Sequence, residues 1–445
     1  MDGQMITGEP VIKVALVQNS PRVSVSLDGS YPPVSGSKAK TELCASCGEN
    51  NTVILKGHNG RVLAREKEIS LSPADPANAF FSIHDLSIGI RFHWERLQTL
   101  SFRSDIRFSA NPDGTVSIYN LIGLEDYLAS VISSEMSAGS PPEFLKAQAV
   151  TARSWLISML EKKKMPRARQ AEDGNEILVW RDVNDHEGFD VCADDHCQRY
   201  QGITRIISQN VARAINDTRG LFLTFNGHIC DARYGKCCGG RTEVFATAWE
   251  EASFPYLISI PDSPRESTPL ATERDVKAWL LSRPEAYCNT ADESLLGMIL
   301  PSFDLETENF YRWRVTYTGE ELTGILREKS GIDFGPLKRI EALERGPSGR
   351  ISRLAIEGAH RSVTVGKELE IRRWLSPTHL LSSAFVVSAR HNAAGDISHL
   401  TLDGGGWGHG VGLCQIGAAV MAARGFRAED ILAHYFRGAV LEKLY

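Results

Sequence analysis

The hydrophobic period of this chain changes from two to about 3.6 between residues 110 and 125, and that change restricts the folds open to it. Before it, "VIKVALVQ" is apolar enough for a buried strand, while "VSVSLDGSY" and "IRFSANPDGTVSIYNLI" alternate apolar and polar residues. Asp113-Gly114 supplies the turn residues of a hairpin inside the last of these. After it, Tyr127, Leu128, Val131, Ile132 and Met136 recur at helical spacing, and helical character runs from Glu125 to Lys164. A β-rich beginning followed by helices, with strands and helices mixed thereafter, is the pattern of an α+β protein.

A chain of 445 residues exceeds one ordinary core, so two or three packed units are expected. The divisions predicted are a β-rich region over 1–110, a core over 111–264, a mixed α/β domain over 265–375, and a C-terminal strand, glycine-rich loop and helix over 376–445. The "SGSKAKTELCASCGENN" and "VLAREKEISLSP" stretches read as a loop and edge strands, and Cys44 and Cys47 as a loop feature. With 42% hydrophobic and 23% charged residues the composition is that of a soluble globular protein. A net charge of -6 argues against a nucleic-acid partner, which would call for a basic stripe. No tract is apolar for long enough to span a bilayer. The first twenty residues lack a basic start followed by an apolar run, so the expectation is that the protein stays inside the cell or that this chain begins after an export signal.

Glu135 is the residue that a purely structural reading strains to explain. It lies four residues after Val131 and seven after Leu128, on or beside the apolar stripe of its helix. A carboxylate that loses solvation there holds its proton longer, which suits a general acid. The bland alternative is an ion pair with Arg153 or Lys146. Glu125 and Asp126 read as more exposed first-turn charges. A second helix is predicted to start from a capping box of Ser140 and Glu143, with Pro141 in its first position. Its stripe runs through Phe144, Leu145, Gln148, Ala149, Ala152, Trp155, Leu156 and Met159. The short "SAGS" turn predicts that the two helices pack antiparallel.

Two further stretches carry chemistry. His186, Cys192, His196 and Cys197 fall in one short loop with Asp190, Asp194 and Asp195, and thiolates and imidazoles so spaced are what Zn²⁺ prefers. In "GGGWGHGVGLCQIG" glycines allow close backbone approach, Trp407 offers a flat apolar face, and His409 and Gln415 offer polar groups. That combination suits a sugar cleft, and it suits equally a tight turn into a close-packed helix.

The segment "LEDYLASVISSEMSAGSPPEFLKAQAVTARSW" resembles the signature of the SpoIID/LytB family, and "HEGFDVCADDHCQRYQG", "AINDTRGLFLTFNGHICDARYGKCCGGRTE" and "GGGWGHGVGLCQIGAAVMAARGFRAEDILAHYF" follow in family order. The resemblance implies a bacterial cell-envelope protein whose partner is the glycan strand of peptidoglycan. One branch of the family is a lytic transglycosylase, sporulation-linked; the other is an enhancer that acts through a wall amidase. The transglycosylase reading needs one carboxylate, Glu135, as acid and then base, unlike the carboxylate pair of hydrolytic glycosidases. Substrate-binding roles are implied for Gln148, Arg153, Tyr234, Gly239, Gly240, Trp407, His409 and Gln415. A structural Zn²⁺ is implied on His186, Cys192 and Cys197, with His196 as alternative or neighbour and Cys238 as a conceivable fourth ligand. The chain departs from the family at Cys237 and Cys238, which stand where serines are usual, and at Cys414.

Overall fold

The computed structural model describes residues 8–34, 40–90, 92, 94–163, 171–180, 186–265 and 269–445. Residues 1–7, where the reading of the N-terminus falls, and Lys164 lie outside them. The chain divides into two compact units, each built from several segments: 4–139 with 183–221 and 443–445, and 1–3 with 140–182 and 222–442.

The first unit contains two sheets. A six-stranded antiparallel sheet runs in the order Val62–Glu66, Thr52–Gly57, Thr41–Gly48, Arg22–Asp28, Phe80–Ile88, Arg96–Phe102. A five-stranded sheet runs Val191–Cys192, Val11–Ser20, Val116–Gly123, Asp105–Ala110, Glu68–Leu71. Val11 stands opposite Gly123, and the Asp113-Gly114 turn closes the hairpin in which Val116 faces Ala110. The helix Leu124–Glu135 leaves the strand Val116–Gly123 directly and buries Leu124, Tyr127, Leu128, Val131 and Ile132. It packs on that strand and on the helix Gln209–Asp217.

The "TELCASCG" segment corrects the sequence reading. It is a strand inside the six-stranded sheet, not a loop, because Leu43 and Ala45 alternate onto the buried face. Cys44 and Cys47, three residues apart on a strand, point to opposite faces and cannot share a ligand. The Cys44 sulfur accepts from Arg22 Nε at 2.8 Å.

In the second unit the long helix Pro142–Lys162 packs on Gln415–Ala423 and Ala428–Tyr435, and all three carry buried small residues. The expected capping box does not form. Pro141 is the N-cap and makes no side-chain bond, and the Glu143 carboxylate accepts instead from Ala428 N at 2.9 Å, capping the neighbouring helix. Asn226-Gly227 makes a two-residue hairpin, with φ of 51° and 79°. A five-stranded sheet (Ala171–Asp173, Glu176–Leu178, Ser362–Gly366, Ile351–Gly358, Leu337–Arg345) and a three-stranded one (Arg312–Thr318, Ile397–Gly405, Phe385–His391) share a core. Its centre is Trp313, Leu326, Phe334, Ile356, Trp374, Phe385 and Leu400. The architecture is α+β with a β-rich N-terminal part, as the change of period predicts.

Candidate functional site

Glu135 is the last residue of its helix and is half-buried. Its Oε1 accepts from the backbone N–H of Arg199 at 3.0 Å. Two more bonds tie the same short segment to the helix: Tyr127 OH donates to Gln198 Oε1 at 3.0 Å, and Gln201 N donates to Ser134 Oγ at 3.2 Å. Tyr127 and Tyr200 stack at 5.0 Å, and Tyr200 OH donates to Asn120 Oδ1 at 2.5 Å. The Arg199 guanidinium lies 4.5 Å over the Trp94 ring and donates to Asp195 at 2.6 Å. The segment 198–201 is thus fastened along the end of the helix, and the Arg199 N–H fixes the orientation of the Glu135 carboxylate.

Two residues before Arg199, the His/Cys loop closes on itself. One ligand atom from each of His186, Cys192, His196 and Cys197 lies within 4.8 Å of the others. His186 Nε2 is 3.1 Å from Cys197 Sγ and 3.2 Å from His196 Nδ1, while Cys197 Sγ is 3.5 Å from His196 Nδ1. The Cys197 contact, with those of His186 and His196, holds the Cys192 thiol far below its ordinary value against the opposing effect of burial. Two thiolates and two imidazoles converging this closely match the donor set of a closed tetrahedral zinc site. The sequence reading had three of these residues and left His196 open; the geometry gives all four one centre.

Glu125 differs from expectation. It is 4% exposed, accepts from Gly220 N at 3.3 Å, and is bonded by the Tyr445 hydroxyl, whereas Asp126 is exposed as read. Its partners come from positions 95 and 320 residues away, which local periodicity does not register.

The other predicted site residues belong to the second unit. The strand Tyr234–Gly235 pairs in parallel with Leu413–Cys414, and Cys237 and Trp407 exchange backbone bonds of 3.0 and 2.8 Å. This lays 234–240 along 405–415 and brings Tyr234, Gly239, Gly240, Trp407, His409 and Gln415 into one framework. Glycine is required at Gly412, where φ is +73° and a Cβ would sit 2.0 Å from the Arg233 carbonyl oxygen. Trp407 is only 8% exposed, so little of its indole is available to a sugar ring. Tyr234 and His409 keep part of their surface exposed. Desolvation, and then the charges of Arg233, Arg350 and Arg372, push the His409 imidazole down to about 3. Its Nδ1 accepts from Val411 N at 3.0 Å, and its ring stands edge-on to Trp249 at 4.8 Å.

Gln148 and Arg153 are wholly buried on the helix Pro142–Lys162. Both amide atoms of Gln148, and Nε2 of Gln415, have no hydrogen-bond partner among the described residues. Cys238, offered by the sequence as a fourth ligand to the His/Cys loop, instead belongs to a separate buried group of this unit, with Asp262, Cys288 and Cys414, that could hold a metal ion. Sequence reasoning missed Asp262 and Cys288. The sequence carries no local signal for either of them.

The first unit therefore defines a class: an α+β protein in which a His/Cys ligand loop is bonded to a half-buried glutamate at a helix end. Residues 112–225 match the family described as Stage II sporulation protein, SpoIID, and residues 243–412 match a domain of unknown function, DUF8618. Stage II sporulation protein D of Bacillus amyloliquefaciens is 26% identical over 320 residues, covering 71% of this chain and 73% of the relative. Stage II sporulation protein D of Bacillus subtilis (strain 168) is 26% identical over 325 residues, covering 72% and 75%. The Amidase enhancer of Bacillus subtilis (strain 168) is 26% identical over 336 residues, covering 71% of this chain but 40% of that longer protein. Through residues 112–225 the chain is similar to the SpoIID family.

Proposed function

We propose that the protein is a cell-envelope enzyme that cleaves peptidoglycan glycan strands as a lytic transglycosylase, with Glu135 as its single acid and base. Protonated Glu135 gives its proton to the glycosidic oxygen as the bond from C1 of N-acetylmuramic acid breaks. The carboxylate so formed takes the proton of the sugar's own 6-hydroxyl, whose oxygen closes on C1 to leave a 1,6-anhydro end. Water and a second carboxylate are not consumed, in contrast to the paired-carboxylate glycosidases. The observation that carries this reading is the half-buried Glu135 carboxylate at the helix end, held in one orientation by the Arg199 N–H.

His186, Cys192, His196 and Cys197 would hold a Zn²⁺, and such a closed site supplies rigidity to the loop. Cys197 is two residues from Arg199, so holding the loop holds the donor on Glu135 in place. Tyr234 and His409 are the sugar contacts we favour, because they retain exposed surface; Gln148, Arg153, Gly239, Gly240, Trp407 and Gln415 are buried and would act through packing.

The likeness to an amidase enhancer keeps a second reading in view, that of a non-catalytic partner of a wall amidase. Mass spectrometry of purified glycan strands, with and without stem peptides, after incubation with the protein separates the two. New 1,6-anhydro ends are expected. Intact strands, together with faster peptide release when a wall amidase is added, would establish the enhancer instead.

A further inference from the structure

The second unit contains a group of acidic side chains that the proposed chemistry does not use. Cys238, Asp262, Cys288 and Cys414 are all buried, and one ligand atom from each lies within 4.8 Å of the others. They arrive from four places in the chain: the turn after the strand Tyr234–Gly235, the loop after Pro261, the link between the helices Glu273–Leu281 and Glu293–Ile299, and the N-cap of the helix Gln415–Ala423. Three thiols and a carboxyl group so placed, away from water, must either keep their protons or share a cation.

We propose that these four residues form a second, structural zinc site of the Cys₃Asp type. A Zn–S bond of about 2.3 Å at the tetrahedral angle sets two thiolates about 3.8 Å apart. The Cys238 and Cys288 sulfurs are 3.7 Å apart. Cys414 Sγ accepts from the Cys238 backbone N–H at 3.2 Å, an amide donor of the kind that supports a metal-bound thiolate from outside the coordination shell. Asp262 is oriented in the same way: Oδ1 accepts from Tyr435 OH at 2.5 Å and Oδ2 from Cys288 N at 2.8 Å. Each carboxylate oxygen retains a lone pair for a metal.

The size and donor types select the ion. An iron–sulfur cluster would hold its thiolates farther apart than 4.8 Å, and a carboxylate among three thiolates suits Zn²⁺ better than Cu(I). Cys237 is buried next in sequence to Cys238 but falls outside the four-atom set, so it is a neighbour and not a ligand. Burial of all four ligands leaves no open position, which is the mark of a structural site. Metal at this point would staple segments as far apart as 176 residues in sequence. The two cysteines that replace the family's serines at 238 and 414 thereby acquire a use.

The test is metal analysis of the full chain, purified under reducing conditions without added metal. About two zinc ions per chain are expected, falling to about one in Cys238→Ser/Cys288→Ser and to about one in Cys192→Ser/Cys197→Ser, with Cys237→Ser unchanged. A folded Cys238→Ser/Cys288→Ser chain with the parent's zinc content would overturn the proposal. Because serine at these buried positions can unfold the chain, Co²⁺ is exchanged into Cys192→Ser/Cys197→Ser as a second readout. Tetrahedral bands with thiolate charge transfer are expected, and their absence overturns the site. Alkylation in denaturant without reductant, if it finds two thiols missing at Cys238 and Cys288, would replace the metal by a disulfide. None of these measurements reads glycan cleavage, so they can fail while the proposed reaction stands.

Discussion

Substituting asparagine for His409 should flatten the acid side of the protein's stability profile. In the native state, desolvation and three nearby arginines hold the imidazole at about 3, against an ordinary value of 6.5. Above pH 6.5 the ring is neutral whether the chain is folded or not, and its packing contributes in full. Below pH 6.5 the unfolded chain binds a proton that the native ring refuses until about pH 3, so stability is lost as the pH falls. The slope from this one group is at most about 1.4 kcal/mol per pH unit, reduced because the ring keeps some contact with solvent. Asparagine retains an acceptor for Val411 N and removes the titration. Loss of the edge contact with Trp249 should cost the variant about 1 kcal/mol at pH 8. Urea unfolding followed by tryptophan fluorescence at pH 8, 7, 6 and 5 measures both numbers. The parent should lose stability faster than the variant below pH 6.5, so that the two curves converge. Parallel curves across that range would refute the reasoning.

Gln148→Met should raise stability by about 1–3 kcal/mol, since it removes a buried amide with no partner among the described residues; a thermal melt that shows a loss instead would mean that the amide is satisfied. Trp407→Ala should cost about 3–5 kcal/mol, as for a core aromatic, with glycan affinity reduced only in step with unfolding. Titration of glycan strands into a folded Trp407→Ala protein at low temperature checks this, and a selective loss of affinity there would return Trp407 to the sugar-binding role.

The parts of the fold that were legible in the sequence were those set by near neighbours. A continuous apolar run located the strand Val11–Ser20, alternation located Asp105–Ala110 and Val116–Gly123, and Asn-Gly at 226–227 is a residue pair that tolerates the positive φ of a type I′ turn. The His186 to Cys197 loop was visible because its ligands lie within twelve positions. What escaped was set by distant partners. Glu143 looked like a capping-box residue, but Ala428, 285 residues away, recruits its carboxylate. The strand Thr41–Gly48 was hidden by its polar residues and two cysteines, although its buried face carries only Leu43 and Ala45. Cys288 and Asp262 had no local mark, since their meaning depends on Cys238 and Cys414 being brought to them by the fold.

The claim on which the functional account rests is that Glu135 moves the proton. Glu135→Gln leaves volume and hydrogen-bonding shape almost unchanged, so the Arg199 N–H can still find an acceptor and the melting temperature should hardly move. Parent and variant, matched for folding by circular dichroism and for zinc by metal analysis, are incubated with the same glycan strands, and 1,6-anhydro ends are counted by mass spectrometry over time. The account predicts ends from the parent and none above background from the variant. Equal production of anhydro ends by a folded Glu135→Gln protein would contradict it.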